Sequence, residues 1–352
     1  MKSASQDYYL GLDHIRAVAA YLVFCWHFLH TTNGSPVPFG QAELIPPISW
    51  INEGHLGVSV FMTLSGYLFA KILDERSVKY VSFYINRFLR LAPLMIFVVF
   101  LNALMREWHG QPSVWYFFAS LANGLVYPSL PNAGWSITVE FHFYLLLPFL
   151  LWFSRNSNFR LLILVAMAMA YRLYLYSSDG SVQYVAYWTI IGRIDLFIMG
   201  LLGYRYGKYL NSSTTIISVA FIGLAILYAF INHLGGYKGT AQSSIWVCFS
   251  TLEAICLAPM IAYYDRLSIG FNGRVSNIVA NIGKYSYSMY LLHSFIVFSA
   301  ATYIHNNIID LSNVYLAIVV ASLVFLLCVP VAYLSYSLIE KPFLRFRVIY
   351  LK

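Results

Sequence analysis

Charge is what this chain has least of: only 10% of its 352 residues are Asp, Glu, Lys or Arg, where a soluble domain carries roughly a quarter. No polar block is long enough to form a separate soluble domain, so residues 1–352 read as a single domain. Cysteine is scarce too. Cys25, Cys248, Cys256 and Cys328 all fall inside apolar runs without CxxC or metal-ligand spacing, which excludes a disulfide framework and a thiolate metal site and leaves small core residues. The chain has no GxSxG elbow, no HExxH and no P-loop, and no cluster of metal ligands. The first apolar run lacks a small-residue cleavage site and contains His27, so we expect a retained helix rather than a signal peptide. No internal repeat is evident.

What is abundant is apolar surface. Hydrophobic residues make up 60% of the chain, more than a soluble fold can cover but suited to a lipid bilayer. A crossing helix needs about 20 apolar residues. Candidate spans lie at roughly 14–32, 56–73, 88–105, 135–153, 160–176, 187–204, 214–232, 243–264, 285–304 and 314–338. The expected fold is therefore an all-α integral membrane bundle of about ten transmembrane helices. The aromatic, Pro-containing stretch from Trp108 to Pro131 is expected at the interface. Alternate connections hold 18 Lys and Arg residues against 2, the poor set being Arg106 and Lys238. By the positive-inside rule the rich side is cytoplasmic, which places both termini there. The same clustering explains the net charge of +8 as an orientation signal and excludes a nucleic-acid partner.

Ionisable groups in hydrocarbon cost about 2.5–3.5 kcal/mol each on insertion scales, so each one asks for a function or a partner. The candidates are Arg16, His27, Arg87, Arg90, Glu140, His142, Arg193, Asp195, Glu253 and His293. Arg16 and His27 are eleven residues apart, which sets them within about 20° of one helix face and about 16 Å apart along it. An anion held at the cytoplasmic mouth with a reactive group deep inside suits a long donor with a phosphate head and a distant thioester, as in acyl-coenzyme A. The same two residues also read as a positive-inside anchor and a hydrogen-bonded core histidine. Arg87 and Arg90 share a face at i, i+3 and are suited to clamp a phosphate, or to serve as interfacial anchors. Glu140, after Trp135, Ser136 and Thr138, is a candidate to orient an imidazole or to partner a buried arginine. His142 points elsewhere, and His293 reads as structural rather than catalytic. Arg193 and Asp195, two apart, should pair with other helices. Ser65-Gly66 suits close helix packing, not nucleophilic catalysis.

Taken in order, these segments resemble the acyltransferase 3 family of membrane enzymes that O-acylate sugars and other envelope molecules. The resemblance is carried by Gly11-Leu12-Asp13-His14-Ile15-Arg16 continuing to His27, by Gly57 to Tyr67, and by Arg87-Phe88-Leu89-Arg90-Leu91-Ala92-Pro93. It continues with Trp135 to Glu140, Tyr285 to His293 and Glu340-Lys341-Pro342. Phe61-Met62 stands where the family usually has Phe-Phe. The resemblance implies a ten-helix core with both ends inside. It also implies acetyl-coenzyme A or another acyl-coenzyme A as cytoplasmic donor, no metal, and a glycan or other hydroxyl acceptor on the outer side of a bacterial cytoplasmic membrane. Family roles fall on Arg16, Arg87 and Arg90 as donor-binding residues, on His27 as catalytic base and on Glu140 as its orienter. Some members carry an added extracytoplasmic hydrolase-like domain; this chain would act without one. The Gly34–Glu53 loop and the 108–131 stretch are candidates for choosing the acceptor. Direct transfer and an acyl-enzyme intermediate both remain open. The alternative function is a secondary transporter or flippase, which should show broken helices near the midplane and repeat symmetry.

Overall fold

A computed structural model of the chain describes residues 9–31, 36–40, 45–74, 76–210, 214–271 and 273–351. Lys2 and Lys352 of the charge count, and part of the Gly34–Glu53 loop, lie outside them. Among the described residues the secondary structure is helical, apart from one antiparallel bridge between Val78 and Leu351. The helices are α1 (Leu10–Leu29), α2 (Ile48–Asn52), α3 (Leu56–Leu73), α4 (Tyr80–Trp108), α5 (Val114–Val126), α6 (Trp135–Phe153) and α7 (Phe159–Asp179). They continue with α8 (Gln183–Trp188), α9 (Ile190–Arg205), α10 (Gly207–Leu210), α11 (Thr214–His233) and α12 (Gly236–Gly239). Then come α13 (Phe249–Leu267), α14 (Arg274–Lys284), α15 (Ser286–Asn307), α16 (Val314–Ser335) and, after a π turn at Tyr336–Glu340, α17 (Lys341–Phe343).

Each expected span coincides with a helix. Seven helical segments (α3, α4, α6, α7, α11, α15 and Val314–Phe346) are long and apolar enough to cross a bilayer. The chain is a multi-pass membrane protein. The helices at the other three expected spans are more polar or shorter: α1 carries Asp13, His14 and Arg16, α9 has 16 residues, and α13 carries Glu253, Asp265 and Arg266. At 13 residues α5 is too short to cross; Trp108 at the end of α4 and Trp115 within α5 are exposed.

Helices α3 and α7 mark the centre and the rim. The apolar window of α3 is 78% buried and that of α7 only 22%. Small residues let α3 sit against its neighbours: a Cβ added at Gly66 would overlap the Phe197 carbonyl of α9, and one at Gly200 would overlap the Thr63 carbonyl of α3. In a bilayer, where lipid tails offer no hydrophobic drive to associate, such close backbone packing holds helices together. Gly57 does the same against Ala19 and Gly283 against Asp13, fixing α1 between α3 and α14.

Buried charges close into pairs. Arg172 donates to Asp195 at 2.6 Å, and Asp195 also accepts from Thr251. Arg193 meets Glu253 at 3.3 Å, and Glu253 accepts from Ser59 at 2.9 Å and Tyr228 at 2.5 Å. Arg193 and Asp195 thus pair with other helices, as their spacing predicts. These pairs join α7 to α9 and α9 to α13.

Candidate active site

Helices α1, α3, α4, α6 and α15, with the segment after α17, enclose a cavity of about 350 Å³. One end is cationic, with Arg16, Arg87, Arg90 and Arg347; the other is closed by Phe61, Ser136 and Tyr290. Arg347 is the residue that sequence reasoning missed, because it was counted only as an orientation charge. Its position comes from a return of the chain onto α4. The Asn86 side-chain amide donates to the Val348 carbonyl at 2.7 Å, and the Val348 N–H donates back to Asn86 at 2.9 Å. The Lys79 N–H donates to the Tyr350 carbonyl at 2.8 Å, and Tyr350 packs edge-on to Phe83 at 5.7 Å. Arg347 is thereby brought near Arg87 and Arg90. Burial and these two guanidinium groups push its pKa down to about 10; it remains a cation at neutral pH.

The arginines are not equivalent. Arg16 meets Asp13 at 2.5 Å and Arg90 meets the buried Glu340 at 2.5 Å. Glu340 also accepts from Ser288, which gives the Glu340-Lys341-Pro342 motif its role of anchoring the C-terminal segment to α4 and α15. Among the described residues, Arg87 and Arg347 have no carboxylate partner, and the Nε of each is buried without a hydrogen bond. Arg87 lies over the Phe69 and Phe83 rings at 5.2 and 5.5 Å. Two planar donor forks facing a cavity without a protein acceptor suit a bound phosphate or carboxylate.

Glu140 lines this cavity, accepting from the Tyr144 hydroxyl and from Ser65 at 3.5 Å. His27 is elsewhere. Its ring neighbours are Trp26 at 4.8 Å, His293 at 4.9 Å and Phe298 at 5.7 Å. The expected pairing of Glu140 with the His27 imidazole is therefore not made: Glu140 bonds Tyr144 and Ser65, and no hydrogen bond or ion pair joins it to His27. His293, read from sequence as structural, stands directly beside His27. Its Nδ1 donates to the Tyr290 carbonyl, which can only accept. Tyr290 lies 5.7 Å from His293 and accepts from Ser136 at 2.8 Å. The inner end of the cationic cavity is thus one aromatic ring away from the two histidines. His142 donates from Nε2 to the Leu125 carbonyl at 2.9 Å and stays outside the site.

Comparison with known proteins fits this arrangement. The model of the acyltransferase 3 family, an acyltransferase domain, matches residues 9–336. A Staphylococcus aureus protein provisionally named as an O-acetyltransferase is 24% identical over 97% of this chain and 58% of its own length. Peptidoglycan O-acetyltransferase OatA of Listeria monocytogenes is 25% identical over 96% of this chain and 56% of its own. YrhL of Bacillus subtilis, provisionally named for the same activity, is 25% identical over 97% of this chain and 56% of its own. The chain spans a little over half the length of these curated relatives. No solved structure matches it. With the family pattern running through every helix that builds the cavity, the chain belongs to the acyltransferase 3 family.

Proposed function

We propose that the chain is a membrane O-acetyltransferase that moves an acyl group from cytoplasmic acetyl-coenzyme A, or another acyl-coenzyme A, to a hydroxyl of an extracytoplasmic glycan. Peptidoglycan is the acceptor that relatives' names indicate. In this reading residues 1–352 form one transmembrane domain of ten spans with both ends on the cytoplasmic side of a bacterial cytoplasmic membrane. The charge count and the coincidence of ten helices with ten expected spans support that topology.

One observation carries the reading: a cavity with two unpartnered guanidinium groups at one end and the His293–His27 pair just beyond the other. Arg87 and Arg347 hold the coenzyme's phosphates, with Arg16 and Arg90 adding positive potential from within their ion pairs. The pantetheine arm follows the cavity toward Tyr290, which brings the thioester to the histidines. A sugar hydroxyl is a weak nucleophile at neutral pH, and a positioned base contributes typically 10²–10⁴-fold. His27 takes the hydroxyl proton as the oxygen attacks the thioester carbonyl. The C–O bond forms, the C–S bond breaks, and the proton passes to the departing coenzyme A thiolate. Glu140, held by Tyr144 and Ser65, belongs in this scheme to the donor chamber and not to the base.

The test is release of free coenzyme A from acetyl-coenzyme A by purified protein supplied with an envelope-glycan extract. Wild type should turn over, and His27→Ala should lose at least 10²-fold while binding the donor as before. Turnover surviving in His27→Ala removes His27 as base. No turnover and no donor binding in either protein would favour solute transport instead.

A further inference from the structure

Helix α15 touches two cavities. Tyr287 and Tyr290 line the cationic one, and Phe298, Ser299, Thr302 and Asn306 line a second of about 440 Å³ toward the other end of the helix. Tyr290 and Phe298 are eight residues apart, about 12 Å along the axis. Between them stands His293, in ring contact with His27. Phe298 meets His27 edge-on at 5.7 Å. Thr31, which also lines the second cavity, is four residues beyond His27, just past the end of α1 at Leu29. His293 thus adjoins the first cavity through Tyr290, and His27 adjoins the second through Phe298.

The chemistry of the two cavities is opposite. The first gathers arginines. The second is lined by no charged side chain among the described residues: its walls are hydroxyls, amides and the rings of Phe298 and Tyr303. Ser299, Thr302 and Asn306, at i, i+3 and i+7, present one polar strip on α15. Facing lipid tails, these groups would lack hydrogen-bond partners; facing a neutral polyhydroxylated ligand they would have them. Hydroxyl and amide groups both donate and accept, which matches sugar hydroxyls, and an aromatic ring offers an apolar face to the C–H side of a pyranose.

Resting on the acyl-transfer reading above, we infer that this second cavity is the acceptor subsite. It binds an uncharged sugar unit and presents one hydroxyl to His27 from the side opposite the donor. The acceptor oxygen meets the thioester carbon at the histidines, forming C–O as C–S breaks, with the proton leaving through His27 to the coenzyme thiolate. Acceptor and donor then never share a cavity, so each can enter from its own side of the membrane.

The experiment fills the cavity without touching the donor chamber. Ser299 and Asn306 are exposed, so large side chains are tolerated there. Ser299→Trp and Asn306→Trp are compared with Asn306→Ala and with Leu323→Trp, an exposed position on α16 outside both cavities. Two quantities are read: base-labile acetate on the envelope glycan of cells producing each protein, and acetyl-coenzyme A affinity of the purified protein. Both cavity tryptophans should lower glycan acetate at least tenfold with donor affinity within twofold of wild type. Asn306→Ala should give a smaller loss and Leu323→Trp none. Unchanged acetate in both cavity tryptophans, with His27→Ala negative, overturns the subsite and leaves the acyltransferase standing. Parallel loss of acetate and donor affinity in Asn306→Ala also overturns it, since the second cavity would then serve the donor. Acetate that does not depend on His27, with no donor binding by wild type, defeats the underlying function and this inference with it.

Discussion

The different bonding of the arginines leads to a prediction that separates ligand binding from stability. Arg87 and Arg347 have no carboxylate partner among the described residues, whereas Arg90 is bonded to a fully buried Glu340. A hydrogen bond to a charged group contributes about 1.5–3 kcal/mol, and 1.4 kcal/mol is a factor of ten. Arg87→Ala or Arg347→Ala should therefore weaken acetyl-coenzyme A binding by about 10- to 100-fold while leaving the thermal transition nearly in place. Lysine at either position keeps the charge but loses the planar fork, and should recover only part of the affinity. Arg90→Ala acts differently, because it strands the Glu340 carboxylate with Ser288 as a hydrogen-bond donor. Breaking a buried ion pair costs about 3–5 kcal/mol; with the Arg90 side chain 23% exposed, the low end applies. Titration calorimetry with acetyl-coenzyme A and thermal unfolding, both on purified protein, read the two effects separately. Unchanged affinity in Arg87→Ala and Arg347→Ala, with a stable Arg90→Ala as the weak binder, would refute the assignment.

Three further outcomes follow from individual contacts. Glu140→Gln should change kcat less than tenfold in the coenzyme A release assay. An orienter of the base would cost on the order of 10⁴, as in a catalytic triad, and a loss of that size would restore the pairing with His27. Gly66→Ala places a methyl group against the Phe197 carbonyl and should cost about 1–3 kcal/mol of stability, seen as a lower melting temperature; an unshifted transition would show that α3 and α9 can separate freely. Arg172→Ala leaves Asp195 buried without its ion-pair partner and should lose about 3–5 kcal/mol. The double change Arg172→Met with Asp195→Leu should recover most of it, and failure to do so would mean that the pair contributes more than mutual neutralisation.

Much of the site was legible because helices in a bilayer obey few rules. Arg16 and His27 could be placed on one face from their spacing alone, and Arg193 and Asp195 could be sent to separate partners, because side-chain direction in a helix follows residue number. The same rule says nothing about which helix lies opposite. That is why Glu140 is matched with His27 from sequence, although its Oε1 accepts from Tyr144 and Ser65 in the cationic cavity. It is also why His293, an unremarkable histidine within its span, gave no sign that α15 turns it toward His27.

Arg347 shows the limit most clearly. In sequence it is one of four cations in the C-terminal cluster and carries no periodic signal, since it lies beyond the last long helix. Tertiary contacts, among them the hydrogen bonds of Asn86 with Val348, that of Lys79 with Tyr350 and the Glu340 contact to Arg90, fold that segment back onto α4 and add a fourth guanidinium to the cavity. The sequence by itself determined the solvent, the helical segments and the family, because hydropathy, charge distribution and ordered motifs are local properties written along the chain. The tertiary structure decided which charges are neutralised and which remain free, and that His293 stands beside His27. Those are relations between helices, set by packing and burial across distances that residue spacing does not measure.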